Sequence, residues 1–208
     1  MDRNTLLEHY KSYYANKQRR PKSVQDFCDF CKIERRMFKA HYKSLFGIER
    51  DIWELFALES IQRISSAPEY PEFAAQEKLL AFYYTFLELV KADEAFVKIN
   101  LQRMSKTAFV SDYTDKLRST FTRFVDEILQ EASVNEEVKL RPLISTQYPN
   151  VFWLQMIAVL NYWKKDNSED NEMTDAFVEK SVQLLFDLFS KGPVDSAFDL
   201  GKFLVGNN

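Results

Sequence analysis

Seven residues between positions 22 and 43 carry the chemistry this chain most plainly offers: Lys22, Ser23, Arg35, Arg36, Lys39, His41 and Lys43. Arg35 and Arg36 can each present a planar guanidinium to the O6 and N7 of guanine. Lys22, Lys39 and Lys43 are point charges suited to phosphate, setting register and salt dependence rather than sequence preference. Ser23 opens a helix whose free N–H groups and dipole favour an anion. His41 is expected to pack or cap locally. Such a set, on two short helices beside a basic run, is the chemistry of reading a DNA major groove.

The elements that must hold these groups follow from the apolar spacing. A first helix is expected from Asn4 to Asn16, burying Leu6, Leu7, Tyr10, Tyr13 and Tyr14. The run Lys17 to Lys22, with Pro21, ends it. Ser23 is a natural N-cap with Asp26 three residues on, and Val24, Phe27, Cys28 and Cys31 form the inner face of helix two. Lys32-Ile33-Glu34 is the turn, with Ile33 as its apolar plug. Helix three is expected from Glu34 to Tyr42, with Met37, Phe38 and Tyr42 inward and Arg35, Arg36, Lys39 and Ala40 outward. A long helix then starts near Ile48 and runs to Ser65, and Pro68 to Pro71 ends it.

Charge divides the chain in the same way. Residues 1–50 hold 12 Lys and Arg against 6 Asp and Glu, a net of +6, while the remaining 158 hold 16 against 25, a net of −9. A basic end that attracts polyanions is thus joined to a body that repels them. Only 4 Gly and 6 Pro in 208 residues argue against a β-rich fold. Cys28 and Cys31 are spaced C-x-x-C, but no second Cys or His pair completes a zinc site, and packing is the expected role. So little cysteine fits a reducing cytoplasm. The charged start MDRNTLLEHY is not expected to act as a signal peptide, and no apolar run reaches membrane length. With two histidines, no Gly-rich phosphate loop, no G-x-S-x-G and no H-E-x-x-H, the sequence points to no enzyme, no metal and no cofactor.

The body is expected to be all helical: Glu72 to Lys91, Asp93 to Lys106, Ser111 to Ala132, Val151 to Lys165 and Met173 to Lys191. A polar stretch, Ser133 to Pro149, interrupts it. The tail holding Phe198, Leu200, Phe203 and Leu204 should fold back as a short helix or clamp. Phe82, Tyr83, Tyr84, Phe86, Phe121, Phe124, Trp153 and Tyr162 either line an apolar pocket with phenolic hydroxyls for orientation or simply form core.

Ser23-Val24, then Ile33, then Phe38-Lys39-Ala40-His41-Tyr42 with Ser44 following, resembles the head signature of the TetR family of bacterial transcriptional regulators. That resemblance covers the head, about 50 residues, and the body only in architecture. It implies an all-α protein: a three-helix head with a helix-turn-helix at residues 1–47, and a bundle body at 48–208 entered by a connecting helix over 48–65. It further implies a homodimer on double-stranded DNA, through the last two long helices at about residues 151–191, with a small apolar effector in the body. A single head binds weakly, so two recognition helices about 34–36 Å apart on a near-palindrome are expected. Three positions depart from the pattern: Lys39 replaces a phosphate-contacting Tyr, Leu45 replaces a Lys, and Lys32 stands where Gly is frequent. These departures fit a divergent subgroup of the family, and those at Lys39 and Leu45, with the high aromatic content, motivate an alternative from another class, a lipid or apolar-metabolite binding protein of the same fold whose head no longer binds DNA.

Overall fold

The computed structural model describes residues 1–103, 112–135 and 145–189, and every regular element among them is helical. The chain packs as two compact units, Met1–Arg63 with Thr85–Phe121, and Ile64–Tyr84 with Thr122–Asn208.

In the first unit, α1 (Arg3–Lys17) starts at Asp2, whose carboxylate accepts from Thr5 N at 2.8 Å. Its buried stripe is the expected one, Leu6, Leu7, Tyr10, Tyr13 and Tyr14. Ser23 caps α2 (Val24–Cys31), accepting from Asp26 N at 3.1 Å. Lys32 then turns the chain in the left-handed region (φ 55°), and Ile33 N reaches back to Cys28 O at 3.0 Å. That bond from beyond the cap to the last turn is how glycine-ended helices close, made here by a lysine.

α3 is shorter than the spacing suggests: Arg35–Lys39, five residues, rather than Glu34 to Tyr42. His41 N and Tyr42 N both return to Phe38 O, which stops the helix in a turn and swings Tyr42 inward against Phe38, ring centroids 5.8 Å apart. One turn of helix has room for one inward side chain, and Phe38 takes it, packing on Phe27 at 5.8 Å. Met37, expected inside, is therefore exposed.

α4 (Leu45–Ser65) begins three residues before the expected Ile48. Ser44 supplies the start, its Oγ and carbonyl both facing Gly47 N, and Leu45 is buried. Along its inner face stand Ile48, Glu49, Ile52, Trp53 and Phe56. α6 (Glu94–Arg103) packs on α1, with Phe96 touching Tyr14 at 5.2 Å and Trp53 at 5.9 Å.

α5 (Ala75–Ala92) and α7 (Asp115–Val134) start later than expected because 3-10 turns at Tyr70–Glu72 and Asp112–Thr114 occupy the preceding residues. α8 (Tyr148–Trp163) starts three residues earlier than Val151, with Pro149 in its first turn, where a missing N–H costs nothing. α8 packs on α9 (Glu172–Phe189), and Tyr148 stacks on Phe189 at 4.0 Å. Asp166 fixes the entry to α9 by accepting from the amides and hydroxyls of Ser168 and Thr174, so its carboxyl is held down at about 2, chiefly by the Ser168 hydroxyl. The expected helix ends at Lys106 and Lys191, the middle of the 133–149 stretch and the tail with Phe198, Leu200, Phe203 and Leu204 lie outside the described residues.

Candidate nucleic-acid interface

The helix pair is held from beneath by aromatic rings and from behind by carboxylates. Phe27 meets Tyr10 at 5.1 Å and Phe38 at 5.8 Å, so α1, α2 and α3 share one edge-to-face cluster. Asp26, in the first turn of α2, accepts from Tyr13 Oη at 2.8 Å, Lys22 N at 2.7 Å and Arg19 Nη1 at 2.9 Å. The Arg19 guanidinium, then the Lys22 amide, keeps its carboxyl well below the ordinary range. This carboxylate anchors the segment that leads into Ser23.

A second anchor went unread in the sequence. Glu49 is fully buried on α4 and accepts from Tyr10 Oη at 2.9 Å and Tyr14 Oη at 3.0 Å. Arg20 grips both its oxygens, Nε at 2.6 Å and Nη2 at 3.0 Å, and Arg103 Nη1 lies 3.6 Å away. The signal was present: Glu49 sits between Ile48 and the Ile52-Trp53 pair on an apolar face, and a carboxylate there demands a cation. A third carboxylate, Asp51, takes Arg3 Nη2 at 2.5 Å and Lys116 Nζ at 2.6 Å, while Arg3 Nε also donates to Tyr42 Oη at 3.1 Å. Arg50 pairs with Asp115.

These pairs sort the basic segment into two populations. Arg3, Lys11, Arg19, Arg20 and Arg50 are paired with carboxylates of the chain, of which Asp51 and Glu49 are buried and Asp26, Asp93 and Asp115 partly exposed. Lys22, Arg35, Lys39 and Lys43 are exposed and form no ion pair among the described residues. Arg36 pairs with Glu34 at 2.8 Å, but both side chains are more than two-thirds exposed, so the pair is worth under about 1 kcal/mol and yields easily to a better partner. His41, also exposed, points Nε2 at Met1 O, 3.1 Å away, a local contact. Ser23 Oγ is occupied as the cap, leaving its helix N-terminus open to solvent. Leu45, the departure from the expected lysine, is a core side chain of α4 and not part of the surface.

The two thiols stay protonated. Burial and then Asp29 raise Cys28, and burial pushes Cys31 up to about 12. Cys28 is a small buried hydrophobe.

The residues considered for a ligand divide between the units. Phe82, Tyr83, Phe124, Trp153 and Tyr162 belong to the second, Phe86 and Phe121 to the first. Phe82 packs on Phe124 at 5.1 Å and on Tyr83 at 5.9 Å. Buried Tyr83 donates to Gln155 Oε1 at 2.9 Å, and Gln155 Nε2 to Ser181 Oγ at 2.9 Å. Tyr162 is half-buried, stacked on Phe177 at 4.8 Å. Phe86 meets Phe56 at 6.4 Å, and Phe121 is buried. Among the described residues no helix is long and apolar enough to cross a membrane.

Comparison with solved structures shows a similar fold in a protein of unknown function from Rhodococcus sp. RHA1, with a TM-score of 0.57 at 12% identity over 91% of this chain and 95% of that one. No curated protein matches the chain in sequence. Residues 78–204 match the tetracyclin repressor-like C-terminal domain. With more than half of its length in that match, the chain belongs to the tetracyclin repressor-like (TetR) family.

Proposed function

We propose that this protein is a transcriptional regulator that binds double-stranded DNA through residues 22–43, as a homodimer joined through α8 and α9. One observation carries the reading. Lys22, Arg35, Arg36, Lys39 and Lys43 are exposed, and all but Arg36 form no ion pair among the described residues, while Arg3 and Arg20 are paired with the buried carboxylates of Asp51 and Glu49. Arg35 and Arg36 read base edges; Lys22, Lys39 and Lys43 hold phosphates, with the N-terminus of α2 at Ser23 as a further anion contact. Residues 1–47 act as the head and 48–208 as the body. A small apolar effector held among Phe82, Tyr83, Phe124, Trp153 and Tyr162 shifts the population between head separations that fit or miss the operator.

The test is a fluorescence-anisotropy titration against a genomic fragment pool at two salt concentrations, beside an Arg35→Ala/Arg36→Ala/Lys39→Ala variant. Binding should weaken steeply with salt, by about one unit of slope for each phosphate contact, and vanish in the variant. A folded protein that ignores DNA at low salt would end this reading.

A further inference from the structure

Glu34 and Arg36 are paired in a way that leaves one edge of the guanidinium unused. Arg36 Nε meets Glu34 Oε2 at 2.8 Å, and Arg36 Nη2 donates to Glu34 Oε1 at 3.1 Å. Both bonds lie on the side edge of the group. Because the N–H donors of a guanidinium are fixed in one plane, the end fork, Nη1 with the second hydrogen of Nη2, stays open. Two parallel N–H groups of this kind match O6 and N7 of guanine, so guanine can take the fork without breaking the pair. Glu34 stands at the N-cap of α3 yet makes no side-chain cap bond; its carboxylate turns to Arg36 instead.

Direction follows from the helix. At about 100° per residue, Arg36 stands about 160° round from Phe38, the side chain that α3 buries. It therefore points away from the core. Arg35 and Met37 flank it, each about 100° to one side, and both are exposed. Arg35 is the nearer to α2, where its charge acts on the Cys28 thiol. Met37 is an apolar side chain on a face otherwise held by cations, and exposed Ala40, one turn beyond Arg36, is too small to crowd either.

From this we infer that α3 selects a guanine through Arg36, aimed by Glu34 as its positioning residue, beside a thymine whose C5 methyl rests on Met37. The inference rests on the DNA reading proposed above and names the bases that reading selects. Glu34 acts in two directions. Its carboxylate repels phosphates, which lowers affinity for DNA of any sequence, and it fixes the fork, which raises the preference for guanine. A carboxylate that only supported the fold would do neither.

Selection from a randomised duplex pool, followed by anisotropy titration of the selected duplex, tests it, with circular dichroism confirming that each variant is folded. Adenine in place of the selected guanine should weaken wild-type binding roughly fivefold or more, while Arg36→Ala should bind both duplexes alike. Glu34→Gln should bind random-sequence DNA more tightly, with a salt slope steeper by about one unit, and yet lose most of the guanine preference. Uracil in place of the thymine should weaken wild type by about fourfold and leave Met37→Ser unchanged. A wild type indifferent to the guanine or to the thymine methyl, or a Glu34→Gln protein as selective as wild type, would overturn the assignment. The two readings stay apart. A folded protein that selects no DNA at low salt ends the regulator reading and this inference together, whereas salt-dependent binding that ignores these changes ends this inference alone.

Discussion

Glu49 shows what a single side chain does for the helix pair. It is a buried charge satisfied by two phenols and a two-point arginine, and it ties the segment before α2 to the long helix α4. Glu49→Gln keeps the shape but leaves Arg20 without its counter-charge. Removing one partner of a buried pair costs about 3–5 kcal/mol; Arg20 is 28% exposed and can regain some water, so the expected loss is nearer about 2–3 kcal/mol. Tyr10→Phe, which removes one hydrogen bond to a charged oxygen that Tyr14 and Arg20 still hold, should cost about 1.5 kcal/mol, the low end for such a bond. Urea denaturation of both variants checks the order, and a Glu49→Gln protein as stable as Tyr10→Phe would show that the ion pair contributes little. Periodicity found the phenols because they recur along α1. It passed over Glu49 because one carboxylate in an apolar face has no period.

At the scale of elements, α2 and α3 show a local rule satisfied with an unfavourable residue. The turn needs a left-handed conformation, and Lys32 supplies it at φ 55° where glycine would be unstrained. Lys32→Gly should raise stability by up to about 1 kcal/mol, the gain being limited by glycine's greater freedom in the unfolded chain. Thermal unfolding reads the sign, and a lowered midpoint would mean that the lysine stem contributes packing outweighing the strain. The caps at Ser23 and the turn at Lys32 were legible because capping chemistry is local. The length of α3 was not. Its end is set by Tyr42 turning inward to Phe38 and to Arg3, a partner 39 residues away.

Across the whole molecule, carboxylates set how the protein meets acid. Asp26, Asp51 and Asp166 are each held below their ordinary pKa, the last at about 2. A depressed carboxylate contributes stability that is complete above its unfolded value, about 4, and is lost as pH falls toward the folded value. Asp93 runs the other way, raised chiefly by burial despite its pair with Lys11, so protonating it relieves part of the cost. Asp2, the cap of α1, is lowered as well, chiefly by the Thr5 amide, so four carboxylates stand against one and the urea midpoint should fall between about pH 4 and pH 2. A midpoint that holds steady or rises over that interval would show that these carboxylates are not acting as described.

The sequence by itself determined that the chain is helical, where α1 and α2 lie and where the body helices begin to within a few residues, and which faces of α1 and α2 are apolar. Those features follow from spacing, caps and prolines, which act over one or two turns. The tertiary structure alone decided which cations of the basic head stay exposed. Arg20 and Lys22 are two residues apart and chemically alike in a composition count, yet one is consumed by Glu49 across 29 residues and the other is left in solvent. It also decided that Leu45 is core and Met37 surface. Each of these outcomes depends on which distant partner arrives, and pairing between distant residues leaves no periodic mark in the chain.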